Sequence, residues 1–335
     1  LSGTIPVVDG IASISGYDDG GVRTPYTYFH NDGPAGNPYT FTNPSQTGRP
    51  TLRVEDDGVL QMQSKTLRAD AMVVGDDGLV VATGGLMAID ESLTVESGGT
   101  MQTIGGGFSA GTMVVETGGR WTGIGGSLGG GDSYDVGSGL VNSGQIDLSG
   151  VTIQGDVSNN QDAVINLFGD VVFNGLVSGP GGFFGSGTAI FNGGYAPGAS
   201  PAVVEHENNV VFSDTNTLEI ELAGLALGEF DRLEILQDLE IDGLLDIKLI
   251  DGFTLDLNQE FVILDVMGTT TGQFLGLGEG DLVDTFDGTD LFISYVAGDG
   301  NDVSLFAVPE PTSLVLLGLG GFMFGRRRPS FQACR

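Results

Sequence analysis

Arg53-Val54-Glu55-Asp56-Asp57-Gly58-Val59-Leu60-Gln61-Met62 returns twenty residues later as Val73-Val74-Gly75-Asp76-Asp77-Gly78-Leu79-Val80-Val81. The phrase comes round twice more. Leu93-Thr94-Val95-Glu96-Ser97-Gly98 is followed by Thr100-Met101-Gln102-Thr103, and Met113-Val114-Val115-Glu116-Thr117-Gly118 by Arg120-Trp121-Thr122. Gly58, Gly78, Gly98 and Gly118 therefore mark a 20-residue period. Each unit reads strand, acidic turn with glycine, strand, turn. A unit this short cannot bury its own apolar face and must stack on copies of itself. The spacing predicts an all-β chain whose body is a right-handed parallel β-helix of about 20 residues per coil.

The grammar continues with a looser period. Leu140-Val141-Asn142-Ser143-Gly144-Gln145-Ile146-Asp147-Leu148 pairs two short strands across Asn-Ser-Gly, and Val151-Thr152-Ile153, Val164-Ile165-Asn166-Leu167 and Val171-Val172-Phe173 follow. These runs resemble the coils of adhesin and autotransporter passenger domains. Residues 193–201, with Pro197, Pro201 and two turn glycines, punctuate the chain. Beyond them strands lengthen: Leu218-Glu219-Ile220-Glu221-Leu222 alternates strictly, as a half-buried strand does. The expected organisation is an N-terminal segment, 1–50, as a possible cap; solenoid repeats over 51–192; a β-rich terminal module over 193–306; and a tail over 307–335. The terminal module resembles those preceding sorting tails in exported bacterial proteins, and is expected to close the solenoid's open end against aggregation.

Composition supports strands and turns. Glycine supplies 58 of 335 residues without a collagen period, while Val, Ile, Leu and Phe stay plentiful. Net charge is −32, and it is unevenly placed: residues 1–308 hold 43 acids against 8 Lys/Arg, giving −35, whereas the tail carries a net +3. A body this acidic repels nucleic acid and anionic membrane surfaces, so no nucleic-acid partner is expected. Cys334 is the single cysteine, which excludes an intrachain disulfide. No charged and apolar leader precedes Ser2-Gly3-Thr4, so an export signal is expected outside this sequence.

The tail has three parts: Val308-Pro309-Glu310-Pro311, an apolar run from Thr312 to Gly325, and Arg326-Arg327-Arg328. As a helix the 14-residue run is roughly 21 Å long, shorter than the hydrocarbon core of a bilayer, and it anchors if the arginines snorkel to the headgroups. This order of parts resembles the PEP-CTERM sorting signal of bacterial exported proteins, a segment also catalogued as "ice-binding protein C-terminal domain". The resemblance covers the chain from Val308 onward. It implies that Pro309, Glu310 and Pro311 are read by exosortase, a membrane protease-transpeptidase, and that Arg326, Arg327 and Arg328 form a membrane stop beyond a transmembrane segment at 312–325. It also implies a cell-envelope protein, transiently held in the inner membrane and then surface-bound or extracellular. The chain departs from the pattern in its short apolar run and in the seven residues after the arginines.

Few residues suit chemistry. Asp56, Asp76, Glu96 and Glu116 stand two before the repeating glycines. Stacked about 4.8 Å apart, they read either as a divalent-cation ladder, Ca²⁺ being the fitting ion, or as a solvated turn edge whose side chains splay apart. Gly298-Asp299-Gly300-Asn301-Asp302-Val303 partly matches the Ca²⁺-binding nonapeptide of toxin-type β-rolls, but its single occurrence reads better as a hairpin turn. His30 and His206 are the only histidines and lie in no nucleophile motif. Thr83, Thr103 and Thr122 fall nearly 20 apart without a second threonine file, a weak basis for ice binding. The doublets Asp56-Asp57 and Asp76-Asp77, with Arg53 or Arg68, offer the acids and cations of a carbohydrate-active β-helix enzyme, a polysaccharide lyase or hydrolase. Acidic doublets beside turn glycines are common without catalysis, so the expected function is non-enzymatic: a surface or extracellular-matrix structural protein, touching polysaccharide along its flat faces, with no cofactor.

Overall fold

The computed structural model describes residues 51–308 apart from 56–57, 126–131, 136, 138 and 199. It also describes the backbone of the short strands Val7–Val8, Ile11–Ile14, Thr27–Tyr28 and Tyr39–Thr40. All regular structure among the described residues is β, and the body is a β-solenoid. Each coil lays one strand on each of three parallel sheets, so every inward side chain meets its counterpart one coil away. On the first sheet the inward file runs Leu52, Met72, Leu93, Met113, Leu140, Val157, Val177, Tyr195, Leu218. On the second it runs Leu60, Val80, Met101, Trp121, Ile146, Ile165, Phe183, His206, Ile235. On the third, Ile153, Phe173, Phe191 and Phe212 stack in line. These residues are almost wholly buried and form one continuous core.

The core changes character along the axis. Aliphatic side chains fill the first coils, and an aromatic cluster fills the middle. Phe173 stacks on Phe191 at 5.4 Å, Phe191 on Tyr195 at 4.4 Å, and Phe183 on His206 at 4.7 Å. At one inner corner the file Val54, Val74, Val95, Val115 gives way to Asn142 and Asn159. Asn142 donates to the Asn159 amide oxygen (2.8 Å) and to the Val164 carbonyl (3.2 Å), and accepts from the Gly144 N–H (3.1 Å). Buried amides are tolerated here because each bonds the next coil and the adjoining turn.

Parallel pairing runs on through residues 193–201, where the sequence is punctuated. Val177 pairs with Tyr195 and Tyr195 with Leu218, while Thr188–Phe191 pairs with Asn209–Phe212. What changes there is coil size. Steps of 17 to 20 residues between Leu140 and Tyr195 become 23 to Leu218 and 27 to Leu245. Three described strands before residue 51 also join the stack: Ile11–Ile14, Thr27–Tyr28 and Tyr39–Thr40 pair in parallel with the coil that starts at Thr51.

The far end closes by reversing direction. Glu260–Val266 pairs in parallel with the coil beneath through Leu233–Leu264, and on its other edge antiparallel with Asp302–Val308. That last strand lies between Glu260–Val266 and Thr289–Ala297, which pairs in turn with Leu282–Phe286. Residues 273–281 cross the end of the final coil, where the Tyr295 hydroxyl accepts from the Phe274 N–H (3.0 Å) and donates to the Leu277 carbonyl (2.9 Å). An antiparallel lid ends the edge that a solenoid would otherwise present for further pairing. The predicted membrane helix at 312–325 lies outside the described residues.

The repeat conceals a one-residue shift. Between Ile89 and Ser92 the coil carries Asp90 and Glu91 opposite the single residue Asp70. The turn-closing bonds accordingly run Gly58 N–H to Glu55, Gly78 to Gly75, Gly99 to Glu96, and Gly119 to Glu116. Gly58, Gly78, Gly99 and Gly119 are thus equivalent, whereas Gly98 (φ 80°) and Gly118 (φ 84°) match Asp77 (φ 60°) in the left-handed region. A methyl group at Gly78 or Gly99 would lie 2.1 Å from the carbonyl oxygen of Val54 or Val74 in the coil below. Gly99→Ala is therefore expected to cost about 1–3 kcal/mol through overpacking. Gly98→Asn, at a position where the neighbouring coil already holds an aspartate, should cost less than about 1 kcal/mol. Urea denaturation of the two variants checks the register; the reverse ranking would overturn it.

Candidate functional site

The shift also rearranges the acidic edge. Val54, Val74, Val95 and Val115 are in register, so the residues that follow them, Glu55, Gly75, Glu96 and Glu116, share one file. Asp76 stands one position beyond Glu96 and Glu116 in its coil, so the four sequence candidates do not stack as one ladder; Asp56 lies outside the described residues. Gly75 lacks a side chain where the file needs one, and the guanidinium of Arg53 fills the gap. It bonds Glu55 in its own coil and reaches Glu96 two coils away at 2.9 and 3.3 Å. These carboxylates are bridged by a cation the chain itself supplies. Asp76 and Asp77 are exposed at the turn, and Arg53 is committed to the glutamates rather than to them. Among the described residues no group of three or more His, Cys, Asp or Glu is placed to hold a metal ion.

Among the described residues, three more basic side chains do the same work between coils. Arg120 bonds Asp147 (2.9 Å), Arg232 bonds Asp265, and Lys248 bonds Glu219, each across adjacent parallel strands. Asp147 is nearly buried on the outer face of its sheet. Burial works to raise its carboxyl, but hydrogen bonds from Asn166, Gln145 and Arg120 outweigh it and hold Asp147 below the ordinary aspartate range. Beside this cluster an open groove of about 440 Å³ is lined by Thr100, Arg120, Gln145, Asp162 and neighbouring turn residues. It holds no nucleophile with an activating base.

The threonines expected nearly 20 apart do not form a file. Thr103 points inward and its hydroxyl accepts from the Trp121 indole N–H (3.1 Å), while Thr122 faces outward between Gln102 and Asp147. His30 lies outside the described residues. His206 is fully buried, where its Nε2 shares a 2.8 Å hydrogen bond with the Tyr195 hydroxyl. Burial depresses it to about 3, so it stays neutral. The sequence gives no sign of a further buried titratable group, Asp231, whose carboxylate accepts from the backbone N–H groups of Ala202 and Glu221, both at 2.8 Å. Burial pushes Asp231 up to about 7. These groups sit inside the packed core, and they knit coil to coil.

Gly298-Asp299-Gly300-Asn301-Asp302 forms the hairpin turn between the last two strands, with Asn301 and Asp302 as its anchors. The Asn301 amide donates to the carbonyls of Val266 (2.7 Å) and Gly268 (2.5 Å), and Asp302 accepts from the Val266 N–H (2.8 Å). This motif therefore clamps the lid onto the final coil. Its chemistry was visible in the sequence as a polar Gly-rich turn, but its partners 33 to 36 residues upstream were not.

The last strand delivers the chain to its tail at Val308. Residues 307–328 match the family described as the PEP-CTERM protein-sorting motif. The match takes in Pro309, Glu310, Pro311 and Arg326, Arg327, Arg328, and leaves the seven residues after the arginines outside it. These residues, like the run 312–325, lie outside the described part; among the described residues no helix is long and apolar enough to cross a membrane. No curated protein matches the chain. Solenoid and signal together define an extracellular or surface protein that carries an exosortase sorting motif.

Two measurements test this account. Chelator is expected to leave the melting temperature unchanged, while Arg53→Gln, which removes the cation between Glu55 and Glu96, should cost up to about 1 kcal/mol, more at low salt. For Asp231 the folded state holds the proton more tightly than the unfolded chain. Its contribution is full below about pH 4 and is lost as pH rises through about 7. At about 1.4 kcal/mol per unit, the decline is at most roughly 4 kcal/mol. Urea denaturation from pH 4 to 8 should show this fall, and Asp231→Asn should flatten it.

Proposed function

We propose that this chain is a non-enzymatic structural component of the bacterial cell surface or extracellular matrix. It is exported, held for a time in the inner membrane by its tail, and passed on by an exosortase-type membrane protease. The observation that carries the reading is the PEP-CTERM motif at residues 307–328, joined without a spacer to a capped solenoid. Pro309, Glu310 and Pro311 serve as the signal that is read, and Arg326, Arg327 and Arg328 as the stop on the cytoplasmic side.

The outer faces support contact with an extracellular polymer. In a chain of net charge −32, the outward file that follows Arg53, namely Val73, Thr94, Val114, Val141, Ser158, Ser178, carries no charge. Neither does Thr152, Val172, Ile190, Val211 on the third sheet, as far as Glu240, which pairs with Val211. In the earlier coils the acids gather mainly at turns, while in the later coils they also stand on outer strand faces at Glu219, Glu221, Glu234 and Glu240, so the uncharged stretches of the faces are those left for polysaccharide or matrix. Among the described residues, Arg53, Arg120, Arg232 and Lys248 are engaged between coils.

The test is fractionation of cells that express the intact chain, Glu310→Ala, or a triple Gln replacement of Arg326, Arg327 and Arg328. The parent should reach the surface with a shortened tail. Both variants should accumulate in the inner membrane with the tail uncut. Equal surface delivery of all three would refute the sorting role.

A further inference from the structure

The sorting motif begins inside the fold. Its match starts at residue 307, whereas the last strand runs Asp302–Val308. This is the middle strand of the lid. Ala307 pairs with Leu291 on one side; on the other its N–H donates to the Gln259 carbonyl (2.9 Å) and its carbonyl accepts from the Asn258 N–H (2.8 Å). Val308 is opposite Asp290. Val303, Leu305 and Ala307 are at most 1% exposed. A protease binds its substrate as an extended strand and needs a free backbone edge and free side chains. From Asp302 to Ala307 both backbone edges are paired, and Phe306 is the one side chain that is partly exposed. Pro309 then has no N–H to give a neighbour, so the ladder cannot extend into the signal.

We propose that the folded lid sets the limit of processing: the cut falls on the C-terminal side of Val308, and the mature body keeps its last strand whole. This deepens the sorting role proposed above and rests on it. The reaction breaks one backbone amide C–N bond; the carbonyl carbon passes to water or to an acceptor amine, and the departing nitrogen takes up a proton. The lid also makes the signal conditional on folding. Asp302–Val308 gains its second partner only when Glu260–Val266, which pairs with the coil beneath, is in place. Pro309, Glu310 and Pro311 together reach at most about 11 Å, so an enzyme that reads them works against the rim of a finished lid. An unfolded body would instead offer residues 302–308 to any protease of the envelope.

The experiment has two arms. In the first, the full chain is expressed in a bacterium that carries an exosortase, and the mass of the C-terminal peptide of the exported body is measured. A terminus at Val308 or beyond is expected, with a free carboxyl if water was the acceptor and an added mass if an amine was. A terminus at Ala307 or earlier overturns the limit set by the lid and leaves the sorting role standing. A tail left intact overturns both. In the second arm the purified full chain, in detergent, is digested with a nonspecific protease. The first cuts are expected outside residues 302–308. Asn301→Ala, which removes the clamp on Val266 and Gly268, should speed cutting within 302–308 roughly tenfold by easing local opening. Cuts within that strand in the parent as fast as those beyond Val308, or an unchanged rate in the variant, would defeat the proposal without reference to exosortase.

Discussion

A coil of about twenty residues has too little interior to fold alone, and stacking is what rescues it. Each coil leaves a row of backbone N–H and C=O groups on its upper edge, about 4.8 Å from where the next must lie. The next coil satisfies that row only if its own strands sit in the same register. Inward residues then fall into files, and each file is compatible with its neighbours in size. The sequence of Leu52, Met72, Leu93 and Met113 on one sheet, with Val80, Met101 and Trp121 on another, is this requirement written along the axis. So is the glycine that closes each turn, since a side chain there would strike the carbonyl of the coil below.

The same stacking governs charge. Parallel register brings like residues together, which is unfavourable for carboxylates, and a chain with net charge −32 must arrange them with care. Arg53, Arg120, Arg232 and Lys248 are each spent between coils, where one cation meets carboxylates that the register has brought near. Other acids stand at exposed turns, where water screens them. Buried exceptions are held by hydrogen bonds: Asp147 by three side chains, Asp231 by two backbone N–H groups. The outcome is a particle whose early faces are largely uncharged and whose later faces carry carboxylates met by Arg232 and Lys248.

A stack also has ends, and its C-terminal end joins structure to destination. The lid stops parallel growth by turning the chain antiparallel across Glu260–Val266. Its middle strand is the last element before the sorting motif, so the stability of the lid and the exposure of the signal meet at Val308. Asn301 and Asp302 hold this junction to the final coil.

The 20-residue recurrence and the alternation of apolar residues were enough to establish an all-β stacked fold, because period and patterning are local properties of the chain. The tail was equally legible, since a Pro-Glu-Pro signal, an apolar run and an arginine cluster are covalent features that need no folding to be recognised. Register was not legible. Asp90 and Glu91 opposite Asp70 displace one coil by a residue, and four glycines at even spacing conceal it. That displacement dissolved the expected ladder of Asp76, Glu96 and Glu116 and placed Arg53 beside Glu96. Nor could the sequence reveal that parallel pairing continues through residues 193–201, or that Tyr195, His206 and Asp231 are buried in the core. Those facts depend on which strands lie side by side, and only the closed hydrogen-bond ladder of the folded solenoid decides that.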